Sequence, residues 1–199
     1  MRTRTYLSTL PIPERDHIQG PIDAPIKLLE YGDYECPYCG QAYPIVKEIR
    51  ERLGKRLCFA FRNFPLTNSH PHAEHAAEAA EAAGAQGRFW EMHDSLYENQ
   101  DALEDEQIAG YAAELGLNVQ KLSSEVTSGA HLPRIREDFQ SGAHSGVNGT
   151  PSFFINGVRY VGFDDFENLY SVLQNISHFE NNTMDWPVRM LDEGQRLHR

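Results

Sequence analysis

This 199-residue chain predicts an α/β fold of the order βαβ, then ββα, with an all-helical block inserted between the two halves. Three observations carry the prediction. A short apolar run, Ile26 to Tyr31, leads into Cys36-Pro37-Tyr38-Cys39 and a helical pattern beyond it. From about Ser69 to Ser145 apolar residues recur at helical spacing. After Val147 the pattern returns to short strands around Asn156-Gly157, a dipeptide that favours a tight hairpin.

With 40% hydrophobic residues, one compact domain carrying a sizeable insertion can bury a core. The expected divisions are an N-terminal arm at 1–20, a main domain built from 21–68 and 146–176, a helical insertion at 69–145 and a C-terminal tail at 177–199. Met1 to Gly20 is a polar lead-in with Pro11 and Pro13, expected to lie on the surface. It lacks the apolar core of a signal peptide, and no window reaches transmembrane length, so the expectation is a cytoplasmic protein. Three cysteines in a reducing compartment fit a catalytic pair plus one buried thiol, not a disulfide framework.

Pro21 to Pro25 punctuates the entry to the first strand. Ile26 to Tyr31 reads as a buried strand in which only Lys27 and Glu30 are polar, and Gly32 and Asp33 end it. The helix after Cys36 is expected to bury Ile45, Val46, Ile49 and Leu53, to be kinked by Pro44 and to close at Gly54. Leu57 to Phe64 is the second strand, parallel to the first because a helix separates them. Cys58 falls within it as a small core hydrophobe.

Four stripes follow at helical spacing: Phe89, Met92, His93, Leu96 and Tyr97; Ile108, Tyr111, Ala112 and Leu115; Val119, Leu122 and Val126; and Leu132, Ile135 and Phe139. Gly84, Gly116 and Gly129 mark helix ends. Ser152 to Ile155 and Val158 to Val161 form the hairpin. Phe163 to Ile176 is a last helix, with Asp164 and Asp165 near its start and Phe166, Leu169, Tyr170 and Leu173 on its buried side. The tail is polar apart from Trp186-Pro187-Val188 and Met190-Leu191.

The net charge is -11, and Ser69 to Leu132 holds 12 acidic and 2 basic residues. Such a surface repels phosphates and anionic lipid, so neither nucleic acid nor membrane is an expected partner. Solvated helix faces account for it more simply than a docking surface does.

The chemistry centres on Cys36 and Cys39. A thiolate at a helix start is stabilised by unpaired backbone N–H groups and the helix dipole, which predicts an accessible, low-pKa Cys36. Cys39, one turn further in and more shielded, is placed to close a disulfide with Cys36 or to expel what Cys36 has captured. A zinc site would need four ligands, and the only other cysteine is Cys58. His70-Pro71-His72-Ala73-Glu74-His75 has the look of a metal cluster, but Pro71 suits a first helical turn and His72 opens a run of helix formers. Redox chemistry without metal or organic cofactor is the expectation.

With Cys-x-x-Cys at the first helix of this element order, the chain resembles the thioredoxin superfamily, and within it the DsbA-type disulfide oxidoreductases with their helical insertion. The resemblance runs from about Pro21 to Asn175. It implies catalytic roles for Cys36 and Cys39. It also places Glu30, six residues before Cys36, where the family has a buried carboxylate that takes the Cys39 proton. Gly149-Thr150-Pro151 matches the family's cis-proline loop, so Pro37, Tyr38, Thr150 and Pro151 are the implied substrate-binding residues. A cis bond there turns the Thr150 N–H and C=O toward an extended peptide.

One departure bears on direction. DsbA-type proteins commonly carry histidine where this chain has Tyr38, and the Pro37-Tyr38 pair looks like that of glutaredoxins. The implied potential lies between about -120 mV, as in DsbA, and about -270 mV, as in thioredoxin. The implied partners are proteins with thiols or disulfides, with glutathione or another thiol reductant as a further candidate. Two rival readings stay open: a glutathione-dependent disulfide reductase, and a redox-sensing interaction module whose acidic helical block docks a partner in one redox state.

Overall fold

The computed structural model describes residues 10–160 and 166–178, except for the side chains of 166–167 and 175–178. Expectations for the first nine residues, for Val161, for Asp164 and Asp165 and for the tail from 179 onward lie outside the described residues. By its contacts the chain forms two compact units. One comprises Met1–Glu30, Pro44–Phe61 and Ser152–Arg199, where described; the other comprises Tyr31–Tyr43 and Arg62–Pro151.

A five-stranded mixed sheet is built from β1 (His17–Gln19), β2 (Ile26–Gly32), β3 (Leu57–Asn63), β4 (Ser152–Ile155) and β5 (Val158–Arg159), in the order β1-β3-β2-β4-β5. The two longest strands hold inner positions, and their near-continuous burial fits that placement: every residue of β3 and all of β2 but Lys27 is buried. The lead-in differs from the expected surface arm. Its last residues form β1, which pairs antiparallel with β3 through His17 and Phe61, Ile18 and Ala60, and Gln19 and Phe59. Three residues with two polar members are too short a run for a strand to show in the sequence.

The Asn156-Gly157 hairpin forms, but its second strand is shorter than expected and ends at Arg159, before Tyr160. Both residues have positive φ, 47° and 81°, which suits a tight turn whose twist matches the strands it joins. Asn156 also fastens the turn to the start of β2: its Oδ1 accepts the Lys27 N–H at 2.7 Å and its Nδ2 donates to the Pro25 carbonyl at 3.1 Å. The helix α1 (Pro37–Leu53) contains Pro44, which cannot donate to the Gly40 carbonyl one turn earlier. Val46, Ile49 and Leu53 are buried as expected, whereas Ile45 is only half-buried. The final helix α7 (Phe166–His178, following the five helices below) buries Leu169 and Leu173.

The second unit carries α2 (Ala73–Gly84), α3 (Phe89–Glu98), α4 (Asp105–Glu114), α5 (Val119–Ser128) and α6 (Leu132–His144). Alanine-rich α2 packs against α3 and α5, and its small side chains let the neighbours approach. The expectation that this acidic stretch is only a solvated face needs correction, because Glu78 and Glu81 of α2 are buried. They are held by hydrogen bonds from the His131 N–H and the Asn63 amide, at 3.0 and 2.7 Å. Phe139 also departs from its stripe. It is 38% exposed, stacked on buried Phe64 with ring centroids 4.2 Å apart.

Asn156 yields a stability prediction. Asn156→Ala removes two hydrogen bonds and puts at left-handed φ a residue that tolerates it less well than asparagine does, and should destabilise by about 2 to 4 kcal/mol. Asn156→Gly removes the bonds alone and should lose about 1 to 3 kcal/mol. Urea unfolding of the two variants checks the order.

Candidate active site

Cys36 is the residue immediately before α1, and Pro37 is the first helical residue, where its missing N–H is no loss. Cys36 is therefore the N-cap, the position whose side chain ordinarily accepts the N–H of the second or third helical residue. Those residues are Tyr38 and Cys39. Hydrogen bonding from the Cys39 thiol is the largest influence on Cys36 and lowers its pKa; burial opposes it; Thr150 and the backbone N–H groups of Cys39 and Tyr38 lower it further. The result is a Cys36 pKa of about 5.

The cap is held by the turn before it. The Asp33 carbonyl accepts the Cys36 N–H at 3.2 Å, and the buried Asp33 Oδ1 accepts the Glu35 N–H at 2.9 Å. Asp33 Oδ2 meets both the Leu66 N–H and the His70 Nδ1, each at 2.8 Å. Glu35 Oε2 accepts the N–H of His72, the residue that precedes α2, at 2.6 Å. Burial opposes a charge on His70, but the hydrogen bond from its ring to Asp33 and the negative charges of Asp33, Cys36 and Glu35 raise its pKa above the usual imidazole value.

From the other side comes Thr150, whose carbonyl accepts a hydrogen bond from the Cys36 thiol at 3.3 Å. The Thr150–Pro151 bond is cis. The Thr150 hydroxyl is buried and makes no hydrogen bond in this thiol form, yet its side chain adds to the lowering of Cys36. All three cysteines are free thiols.

The structure brings Cys36, Cys39, Thr150 and Pro151 into one unit. It corrects the expected accessibility of Cys36, which is only 3% exposed, against 0% for Cys39. The two residues between them carry the exposure instead: Pro37 is exposed and Tyr38 is 68% exposed. Glu30 is buried in β2, at 3% exposed. Cys58 is buried in β3, and burial raises its pKa, the reverse of Cys36.

The histidines of the apparent metal pattern go separate ways. His70 meets Asp33, whereas the His75 ring lies 2.7 Å from Asp105. Among the described residues no group of three histidine, cysteine or acidic side chains is arranged to hold a metal ion. His93 is core, as its stripe predicts, but its Nδ1 also meets the Tyr34 hydroxyl at 3.1 Å, two residues before Cys36. Sequence reasoning missed Asp33, read only as a strand end, and Gln100, which reaches the active-site turn from 64 and 66 residues away. An aspartate three residues before the first cysteine is a turn signal that was available; for Gln100 no local signal exists.

A sequence profile of the Thioredoxin family matches residues 13–175. Oxidised BdbD from Bacillus subtilis aligns with a TM-score of 0.76 at 20% identity, over 86% of this chain and 97% of that one. Wolbachia pipientis alpha-DsbA1 aligns at 0.74 and 20% identity, over 85% and 94%. The catalytic domain of Proteus mirabilis ScsC aligns at 0.70 and 20% identity, over 81% and 89%. Such likeness speaks for the fold. Sequence identity is higher to the Na(+)/H(+) antiporter NhaA 1 of Mycobacterium sp. strain KMS, 43% over 164 residues, covering 81% of this chain and 27% of that protein. For NhaA 1 of Salinispora arenicola it is 46% over 157 residues, covering 79% and 24%. The chain spans about a quarter of the length of these curated relatives. Because the profile runs through both the dithiol and the cis-proline loop, the chain belongs to the thioredoxin superfamily, with the DsbA-like fold that carries a helical insertion.

Proposed function

We propose that this chain is a protein thiol–disulfide oxidoreductase in which Cys36 attacks and Cys39 resolves. The observation that carries the reading is Cys36 at the N-cap of α1, with a pKa of about 5 and its sulfur against the Thr150 carbonyl. At neutral pH such a sulfur is thiolate. It attacks one sulfur of a substrate disulfide, forms a mixed disulfide and releases the other sulfur as a substrate thiolate. Cys39 then loses its proton and attacks the Cys36 sulfur. The second substrate thiolate departs, the Cys36–Cys39 disulfide forms, and two electrons have passed to the substrate; run backwards, the same steps oxidise a dithiol.

Glu30, a buried carboxylate in an apolar strand, is the proposed acceptor of the Cys39 proton. Exposed Pro37 and Tyr38, with Thr150 and Pro151, are the proposed peptide-contacting residues, the Thr150 backbone pairing with an extended chain. Protein thiols and disulfides are the proposed substrates, and a cytoplasmic location belongs to the same proposal on the sequence alone. The antiporter names of the longer relatives lend ion transport no support here, because the match covers only about a quarter of them. The Pro37-Tyr38 pair favours glutathione-dependent reduction as the second reading. Mixed-disulfide turnover measured with and without glutathione separates the two.

Trapping tests the division of labour. Cys39→Ala should accumulate covalent complexes with substrate proteins that a reductant dissolves, Cys36→Ala far fewer, and Cys58→Ala no more than the unmutated chain. Equal trapping by the Cys36 and Cys39 variants would sink the mechanism. For Glu30→Gln, stopped-flow kinetics should show slowed release of the mixed disulfide with the first attack largely intact; unchanged release removes Glu30 from the mechanism.

The lowered pKa also makes stability depend on pH. In the unfolded chain Cys36 reverts to about 8.5, so across the window from about 5 upward the folded state holds a thiolate while the unfolded state holds a proton. The reduced protein, compared with Cys36→Ala, should therefore gain stability as pH rises through this window and lose that advantage as pH falls through the folded pKa. Denaturant titrations of both, across that range, measure it. The oxidised protein should show no such difference.

A further inference from the structure

Gln100 lies in the connection between α3 and α4, and its side-chain amide reaches the turn that presents Cys36. Nε2 is 2.6 Å from the Tyr34 carbonyl and 3.1 Å from the Cys36 carbonyl, so its two hydrogens can serve one each. The acceptors bracket the cap. Tyr34 stands in the turn that Asp33 organises, and the Cys36 carbonyl also receives the Gly40 N–H, at 3.1 Å, closing the first turn of α1. A side chain bound to both fixes the backbone on either side of the Cys36 α-carbon, and with it the direction of the sulfur.

Gly40 supports this from the opposite direction. It sits in helical conformation, where alanine is the better helix former and no left-handed φ calls for glycine. A side chain there would displace Gln100: a Cβ on Gly40 would collide with its Oε1 and lie 2.6 Å from its Cδ. The space a side chain would need is already taken.

We propose that Gln100 is a positioning residue for the dithiol, clamping the carbonyls of Tyr34 and Cys36 so that the first-turn N–H groups of α1 stay aimed at the Cys36 sulfur, and that position 40 is glycine to admit it. The inference rests on the oxidoreductase reading. Gln100 touches neither sulfur and acts through the backbone. Its chemistry is specific: a primary amide has two N–H donors to give, a carboxylate of the same shape has none, and asparagine is one methylene short.

The test is the pH dependence of Cys36 alkylation, with the reduction potential of the dithiol, for the unmutated chain, Gln100→Ala, Gln100→Glu, Gly40→Ala and the Gly40→Ala/Gln100→Ala pair. Thermal unfolding checks that each is folded. Expected is a Cys36 pKa raised by about one unit in every variant, roughly a tenfold weaker acid. The double variant should shift no further than either single one, because both remove the same clamp. Gly40→Ala is decisive, since helix propensity favours it: a merely structural role for the contact would leave a stable protein with an unmoved titration. Folded variants with unchanged Cys36 pKa and potential, or additive shifts in the double variant, overturn the proposal. An unmutated Cys36 titrating near the free-thiol value overturns the oxidoreductase reading and this one with it, whereas a low value that the variants leave alone overturns this one only.

Discussion

The arrangement of the second unit depends on one electrostatic constraint: the first turn of α1 has N–H groups without helical partners, and the side chain at its cap is a sulfur. A serine or aspartate cap satisfies those donors with oxygen and is inert. A cysteine satisfies them fully only when it has lost its proton, so the requirement that stabilises the helix end also stabilises the reactive ionisation state. Proline at the first helical position removes one unsatisfied donor, and it leaves the Tyr38 and Cys39 N–H groups as the ones that face the sulfur. Cap and proposed nucleophile are the same atom.

A cap of this kind works only if the backbone before it cannot swing, and four separate stretches bear on that. Asp33 ties the turn to the loop of Leu66 and His70, Glu35 ties it to the start of α2, Thr150 closes over the sulfur, and Gln100 braces the carbonyls. Tyr34 adds a hydroxyl contact to His93 inside the aromatic stripe of α3, where the His93 and Tyr97 rings lie 5.0 Å apart. The helical insertion thus supplies the braces of the dithiol as well as bulk. That gives a physical reason for carrying five helices between two strands, since α2, α3 and the segments that join them to their neighbours provide most of the partners just named.

What was legible in the sequence follows from how far apart the interacting residues lie. The strands, the Asn156-Gly157 turn and the helices of the insertion rest on local periodicity and turn chemistry, and they formed where those signals stood. Cys36 at a helix start was legible for the same reason, because a cap is a matter of neighbours along the chain. The edge strand His17–Gln19 was not, since three residues that pair with a distant β3 carry no period of their own. The buried Glu78 and Glu81 misled for a related reason: charge predicts exposure unless a partner is present, and their partners, His131 and Asn63, come from other elements. Asp33 carries a local turn signal, but its bond to His70, like the reach of Gln100, is legible only once the loops have met.

The two ends of the Cys36 environment differ in the protonation state they favour. On the helix side, donors favour the thiolate; on the Thr150 side, a carbonyl accepts from the thiol and would repel a thiolate. A thiolate has no hydrogen to give that carbonyl, and the Thr150 hydroxyl, buried without a partner in the thiol form, can turn a donor toward the sulfur. The Thr150 carbonyl then no longer has the Cys36 hydrogen to accept. On the proposed reading, binding and ionisation are linked through one residue, because the acceptor of the protonated Cys36 is the acceptor that an extended substrate backbone would need. Tyr38, exposed between the cysteines, adds aromatic surface without a charge beside the thiolate, so the acidity of Cys36 is set by its cap, its Cys39 neighbour and the loop opposite.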